Sequence, residues 1–363
     1  TTAAIIEPGG DYPLHIALEK HYSHDVLAAL LRAFPHAAQT PDSEELLPLR
    51  KAIKARFPDE VVISLLQAHP DACSEVDEYE RYPIHYAASR NYSEVIVGEL
   101  IRIFPSAIRM CDSSGQLPLH IALVHEDNYD VIQYLVQYYP EGALITDDTG
   151  YLPLHYGIEN MYSTDVLALI VQAGRMAAQY LCKGRLALHM AIEFKHPHST
   201  IQLILEAYSA ALMVPCESKA HDAVHYQILP LHLAIERQLG ERTLLFLLAS
   251  YGDEGGGNCA ELTDRHGWFP IHYAVKYHST LPVVRRLLKM FPAIVEIRYE
   301  PTGGRLLLHF AADERAPPYA VAEILRLTMP FKSKTGQPNP KHFYTWTYVL
   351  TDTQDRYFES VDT

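Results

Sequence analysis

A chain of 363 residues has the length for two ordinary domains or for one long array. With 48% apolar and 20% charged residues it is a folded composition rather than a disordered one, and a formal net charge of −14 argues against a nucleic-acid binder, whose phosphate contacts need Lys and Arg. The five cysteines (Cys73, Cys111, Cys182, Cys216, Cys259) are odd in number and never paired as CxxC, which reads as free thiols in a reducing compartment, the cytoplasm or nucleus. No apolar run approaches the ~20 residues that cross a bilayer, so no membrane insertion is expected. The first residue is Thr1 and no signal peptide is visible, which suggests a processed or partial chain.

In chain order, the first segment sets a grammar. Glu7-Pro8-Gly9-Gly10-Asp11 supplies a turn, and Pro13 suits the first position of a helix, where its missing N–H costs nothing. A helix is expected over Leu14 to about Lys20. After a turn at His21-Tyr22-Ser23 comes a second helix, whose apolar pairs Val26/Leu27 and Leu30/Leu31 share one face; Phe34-Pro35 ends it. The pairs recur at Val61/Val62 with Leu65/Leu66, Ile96/Val97 with Leu100/Ile101 and Val131/Ile132 with Leu135/Val136. Val166/Leu167 with Ile170/Val171 and Val283/Val284 with Leu287/Leu288 continue the series, and stops recur at Pro70, Pro105, Pro140 and Pro292. Polar turns holding Asp and Gly lie between, at 112–115, 147–150 and 264–267, with hairpin-like turn chemistry. Two stretches break the period, an insertion around 215–227 and a glycine-rich loop at 252–258. After Pro330 the grammar stops, and the aromatic segment 331–363 is a tail that caps the last repeat or docks another chain.

The strongest regularity is the frame around Leu117-Pro118-Leu119-His120-Ile121-Ala122. Versions of it carry His15, His85, His120, His155, His189, His232, His272 and His309, with Arg50 in the same slot of a ninth copy. Slot-to-slot spacings are 35, 35, 35, 35, 34, 43, 40 and 37 residues. A fixed period of this size means stacked helical repeats rather than one globular core. Motif, period and helix pattern together resemble ankyrin repeats, whose signature is Thr-Pro-Leu-His-x-Ala at a period of about 33. The expected fold is therefore all-α, an ankyrin-repeat solenoid of about nine helix-turn-helix units spanning 1–330. The units start near 8, 43, 78, 112, 147, 182, 225, 264 and 301.

The chain departs from that family in three ways. The residue before Pro is Tyr12, Leu47, Tyr82, Leu117, Leu152, Leu229 or Phe269 and never Thr, so the polar network around the motif His must differ. Pro itself gives way to Ala187 and Leu307, where helix starts should be less sharp. The inter-helix turn carries an aromatic (Tyr22, Phe57, Tyr92, Tyr129, Tyr162, Tyr277), read as a cap on the core edge between repeats rather than as an exposed binding ladder.

Twenty histidines invite a metal or catalytic reading, but eight are taken by the motif. Those lie one per repeat, on the order of 10 Å apart, too far to share an ion whose ligands sit at ~2 Å. Their expected role is structural. Cys216, Glu217, His221, Asp222 and His225 form the one other grouping; a helix there would place His221 and His225 on one face as metal ligands, the minor alternative. Gly255-Gly256-Gly257 lacks the Lys and Ser/Thr of a phosphate loop, and no nucleophile elbow or Cys/His pair stands out. Neither enzyme activity nor a cofactor is expected.

What the resemblance implies is protein binding along a concave face of turn tips and first helices, as an adaptor or as a subunit of a larger complex. The alternative is a regulatory array attached to a catalytic region outside this chain. The partner would present a basic or mixed surface, and the chain would be a monomer or part of a hetero-complex. By repeat position the contacts would be Glu19, Lys20, Glu78, Glu80, Arg81, Arg90, Gln116, Glu159, Asn160, Glu193, Arg237, Arg265, Trp268 and Lys276. Trp268 stands out as a large apolar group at a turn tip, so Trp268→Ala should weaken binding and leave the melting temperature nearly unchanged.

Overall fold

The computed structural model describes residues 12–124, 129–219, 225–253, 259–298 and 304–328, with 217–219, 225–227, 252 and 253 by backbone only. The chain divides into two compact bodies, Thr1–Lys183 and Gly184–Thr363. In the first, five helix pairs follow one another: α1 (Pro13–Glu19) and α2 (His24–Ala33), α3 (Pro48–Lys54) and α4 (Asp59–Ala68), α5 (Pro83–Ser89) and α6 (Glu94–Ile103), α7 (Pro118–Ala122) and α8 (Tyr129–Tyr138), α9 (Pro153–Glu159) and α10 (Thr164–Ala173). The second holds four: α11 (Ala187–Glu193) and α12 (His198–Ala207), α13 (Pro230–Glu236) and α14 (Glu241–Asp253), α15 (Pro270–Lys276) and α16 (Leu281–Met290), α17 (Leu307–Asp313) and α18 (Pro318–Thr328). Among the described residues no helix is long and apolar enough to cross a membrane.

The first helix of each pair is short, at most seven residues, too short to persist alone in water. It holds because its start is locked and its apolar side is buried. Proline occupies the first helical position in α1, α3, α5, α7, α9, α13 and α15, after an N-cap residue in extended conformation. The second helices bury the apolar pairs seen in the sequence: Val61, Val62, Leu65 and Leu66 in α4, and Val131, Ile132, Leu135 and Val136 in α8, are all inside. Ser93 and Ser163 cap α6 and α10 by accepting from the amides of Ile96 and Val166. The second helices then run into short 3-10 turns, five of which open on the prolines Pro35, Pro70, Pro105, Pro140 and Pro292.

Where the two helices of a repeat cross, the position two after the motif slot is Ala in Ala17, Ala52, Ala87, Ala122 and Ala191, all buried. Gly157 fills it in α9, where a Cβ would lie 2.7 Å from Leu167 Cδ2 of α10. A small side chain at this crossing lets the helices touch.

Four sequence expectations change. The insertion is neither helix nor plain loop: β1 (Cys216–Lys219) pairs antiparallel with β2 (His225–Ile228), Cys216 opposite Ile228 and Lys219 opposite His225. Of the glycine-rich stretch 252–258, Gly252 and Asp253 close α14 and the remainder lies outside the described residues. α11 and α17 start as sharply as the others, at Ala187 and Leu307, despite lacking proline. Tyr129 opens α8 and Tyr277 follows the end of α15, so neither is equivalent to Tyr22, Phe57, Tyr92 and Tyr162, which stand seven residues after the motif slot. The tail 331–363 lies outside the described residues.

Candidate protein-binding surface

At His15, His85, His120 and His189 the motif histidine is a tie between backbone groups, while His155 Nε2 and His232 Nδ1 are buried without a partner. Its Nδ1 accepts from the amide of the N-cap residue three positions earlier, at 3.0 Å from Leu117 to His120 and 3.1 Å from Tyr82, Leu152 and Leu186 to their histidines. Its Nε2 donates to the carbonyl 25 residues on: His15 to Thr40 at 2.9 Å, His85 to Met110 at 3.1 Å, His120 to Ile145 at 3.1 Å and His189 to Val214 at 2.9 Å. An amide can only donate and a carbonyl only accept, so the ring is held neutral, with its proton on Nε2. Burial pushes His85, His120, His155, His189, His232 and His272 down to about 4. The missing threonine hydroxyl is thereby explained: the N-cap amide alone fills Nδ1, and the freed side chain joins the core, as Leu117, Leu152 and Leu186 do. Arg50 reproduces half of the tie, its Nη2 donating to Glu75 O at 3.0 Å.

The same logic builds the turn tips. In Asp42, Asp77, Asp112, Asp147 and Asp264, Oδ1 accepts the amides two and four residues on, all at 2.7 to 3.0 Å. Oδ2 takes a donor nine residues on: Lys51 for Asp42 at 2.6 Å, Tyr86 for Asp77, Tyr156 for Asp147 at 2.7 Å and Tyr273 for Asp264 at 2.8 Å. Asp112 has Ile121 at that place, and Arg81 Nε of the preceding repeat supplies the donor instead, at 3.0 Å. Burial raises Asp42, Asp77 and Asp147 while these hydrogen bonds lower them further, and the net result lies below the ordinary carboxyl value. The tips join into a row within the first body, Ser113 N donating to Tyr79 O at 2.8 Å and Asp148 N to Ser114 O at 3.1 Å.

Against this frame the fourteen sequence candidates divide. Glu78, Glu80, Arg90, Glu159 and Arg265 are exposed at tips or helix ends, and Glu19 and Lys20 are exposed while paired with one another. The others make internal contacts. Arg81 holds Asp112, Gln116 donates to Tyr156 at 2.8 Å, and Asn160 donates to Leu123 O at 2.9 Å. Glu193 pairs with Arg185 and lies 3.7 Å from Arg237.

Trp268 is more enclosed than its turn position implies. Its ring lies 5.2 Å from Phe310 and 5.8 Å from Tyr273, with Lys276 Nζ 5.0 Å from its centroid. The expectation that Trp268→Ala spares stability is therefore withdrawn.

Sequence reasoning missed Glu44, Glu45 and Tyr79, all exposed at the first two tips, although an aromatic between two glutamates was a visible signal. It also missed Met110, Ile145 and Tyr180. Each stands 25 residues after a motif slot and exposes a large apolar side chain.

For the metal reading, His225 lies on a strand and His221 outside the described residues, so the helical i, i+4 arrangement is not the geometry found. Burial pushes the Cys216 thiol up to about 12, which disfavours a thiolate ligand. Among the described residues no three His, Cys, Asp or Glu side chains are grouped to hold a metal ion.

Helix pairs joined by hairpin-like tips, with a buried histidine bridging helix start and following turn at His15, His85, His120 and His189, define a stacked helical-repeat protein. Residues 49–146 and, overlapping them, 84–179 match the family model of ankyrin repeats in three copies, and that stretch carries ankyrin repeats. Among solved structures it is similar to the ankyrin repeat domain of Bcl-3, a member of the IkappaB protein family, at 22% identity and a TM-score of 0.49, over 69% of this chain and 100% of that one. No curated protein matches the sequence.

Proposed function

We propose that the chain is a non-catalytic adaptor that binds a protein with a basic, partly apolar surface through the tip row of its first body. The observation that carries this reading is the run of exposed carboxylates Glu44, Glu45, Glu78, Glu80 and Asp148 set around exposed Tyr79. Such a row steers a basic partner, and the aromatic ring gives it an anchor. The exposed Met110, Ile145 and Tyr180 add apolar area in consecutive repeats. The non-catalytic part of the reading rests on the buried, neutral motif histidines and on buried thiols held high, Cys73, Cys216 and Cys259 all being pushed up to about 12.

The test is capture from a cell extract with mass spectrometry, comparing the native chain with Glu78→Lys/Tyr79→Ala/Glu80→Lys. The triple variant should keep its melting temperature and lose the specific partner. Binding of that partner by the native chain should also weaken about tenfold or more between low and physiological salt. A triple variant that captures the partner unchanged refutes the reading.

A further inference from the structure

We infer, on the adaptor reading that makes Tyr79 an anchor, that Arg81 is the residue that positions it, by tying the tip that bears Tyr79 to the tip of the next repeat. At four of the five described tips built on an aspartate, Oδ2 finds its donor within its own repeat. That donor is Lys51, Tyr86, Tyr156 or Tyr273, always the residue just after the motif slot. At Asp112 the same place holds Ile121, a buried apolar side chain with no proton to give. The Asp112 side chain is wholly buried all the same, so a carboxylate left there without a partner would be costly. The cation that meets it comes from the repeat before, Arg81 Nε at 3.0 Å.

What this does to Tyr79 follows from where Arg81 stands. The amides of Tyr79 and Arg81 both donate to Asp77 Oδ1 at 2.9 Å, so the two residues share one turn. The Arg81 guanidinium lies 5.8 Å from the centre of the Tyr79 ring, within reach of a cation–π contact. On the other side, Asp112 Oδ1 accepts the amides of Ser114 and Gln116, and Ser113 N donates to Tyr79 O at 2.8 Å. One guanidinium thus engages both the ring of Tyr79 and the carboxylate that shapes the loop gripping its carbonyl. At the next junction Gln116, the counterpart of Arg81, donates to the Tyr156 hydroxyl, and Tyr156 donates to Asp147. There the tyrosine already serves the carboxylate, and an uncharged side chain suffices.

An exposed tyrosine otherwise samples several rotamers, and ordering such a side chain at the moment of binding costs affinity. Tyr79 is 52% exposed, so what holds it in the free chain bears directly on how well it anchors. Fixed at its amide, its carbonyl and its ring, it meets a partner already in place. Arg81 is half-buried and engaged by Asp112, so truncating it removes the tie between the tips.

The experiment compares the full chain with Arg81→Ala, Arg81→Ala/Ile121→Tyr and Tyr79→Ala. Arg81→Ala should lower the denaturant midpoint and raise the hydrogen-exchange rate of the Ser113 amide about tenfold or more. It should also weaken the partner found by capture about three- to tenfold. Ile121→Tyr puts a phenol where Tyr86 and Tyr156 carry theirs, so the double variant should regain the midpoint while Ser113 stays fast and binding stays weak. Recovery of all three together would overturn the inference, because Arg81 would then do no more than satisfy Asp112. An unchanged Ser113 rate in Arg81→Ala would overturn it as well. Should the added phenol fail to restore the midpoint, Arg81→Lys decides, since it keeps a cation for Asp112 without the planar group beside the ring. Weakened binding at a native midpoint then supports the role of Arg81, and native binding overturns it. Tyr79→Ala that binds the partner like the native chain would remove the anchor from the adaptor reading, and the Ser113 rate would still decide whether Arg81 ties the tips.

Discussion

The imidazole of His120 satisfies both its partners only as the neutral ring, because Leu117 N–H and Ile145 C=O flank it from opposite sides. Losing either hydrogen bond in the interior would cost on the order of 1–3 kcal/mol, the penalty of a buried group left without a partner. That the slot matters was legible from its recurrence. Its bonding was not, because one partner is a backbone carbonyl 25 residues away and the other an amide of the N-cap residue, neither of which leaves a mark on residue identity. Trp268 shows the converse: a large apolar side chain at a turn suggested an exposed ring with little packing to lose. The ring instead has Phe310 of the following repeat at 5.2 Å, a neighbour 42 positions on in sequence. Trp268→Ala is therefore expected to cost roughly 2–3 kcal/mol of stability, somewhat below a full core truncation because the ring is half-buried. Chemical denaturation checks this; a loss under about 0.5 kcal/mol would return Trp268 to the list of binding residues.

Among elements, the turn between the two helices of a repeat is the most uniform feature and the least apparent one. Six residues after the slot, His21, Arg56, Asn91, Met161, Lys195, Gln238, His278 and Arg315 all take φ between 52° and 58°. None is glycine, so each carries the steric cost of a left-handed conformation, roughly 1–2 kcal/mol. The residue types give no hint of this, since Arg, Met and Gln are not turn formers. Met161 offers the cleanest test, being exposed with little packing to lose. Met161→Gly should raise stability by about 0.5 kcal/mol, the relief of strain exceeding the added freedom of the unfolded chain. An unchanged or lower denaturant midpoint would mean that the helices impose the turn without strain. The hairpin of β1 and β2 escaped notice for a related reason. Its strands are four residues each, with Lys, Glu and Gln among them, and the intervening Ala220-His221-Asp222-Ala223-Val224 has no Asn-Gly or Asp-Gly signal. Helix starts at Ala187 and Leu307 looked uncertain without proline, yet the tie from His189 and His309 to the preceding amides sets them.

At the scale of the whole molecule, a period of about 35 with paired apolar positions was enough to give the class of fold, because each repeat buries the same face in the same way. The surface was less legible: position within a repeat says that a residue lies near a tip, and not whether a neighbour has already engaged it, as Arg81, Gln116 and Glu193 are engaged. The same repetition makes pH a collective variable. Six motif histidines have folded values near 4 against an ordinary 6.5, because burial disfavours the imidazolium. The folded value is the depressed one, so below pH 6.5 the unfolded chain binds protons that the folded chain cannot. Their contribution to stability is intact above about 6.5 and is lost progressively as pH falls towards 4. Each such group gives a slope of at most about 1.4 kcal/mol per pH unit, and six together about 8, comparable with the whole stability of an ordinary domain at ~5–15 kcal/mol. The carboxylates of Asp42, Asp77 and Asp147, held below 3.8, add their loss only at still lower pH. Acid unfolding should therefore begin between pH 5 and 6, before any carboxylate titrates. Unfolding free energies measured from pH 7.5 to 5 should fall with the slope of several protons, and His120→Gln should flatten that slope by about one. A slope of fewer than two protons would mean that the buried rings protonate in place, and the neutral tie described for His120 would have to be abandoned.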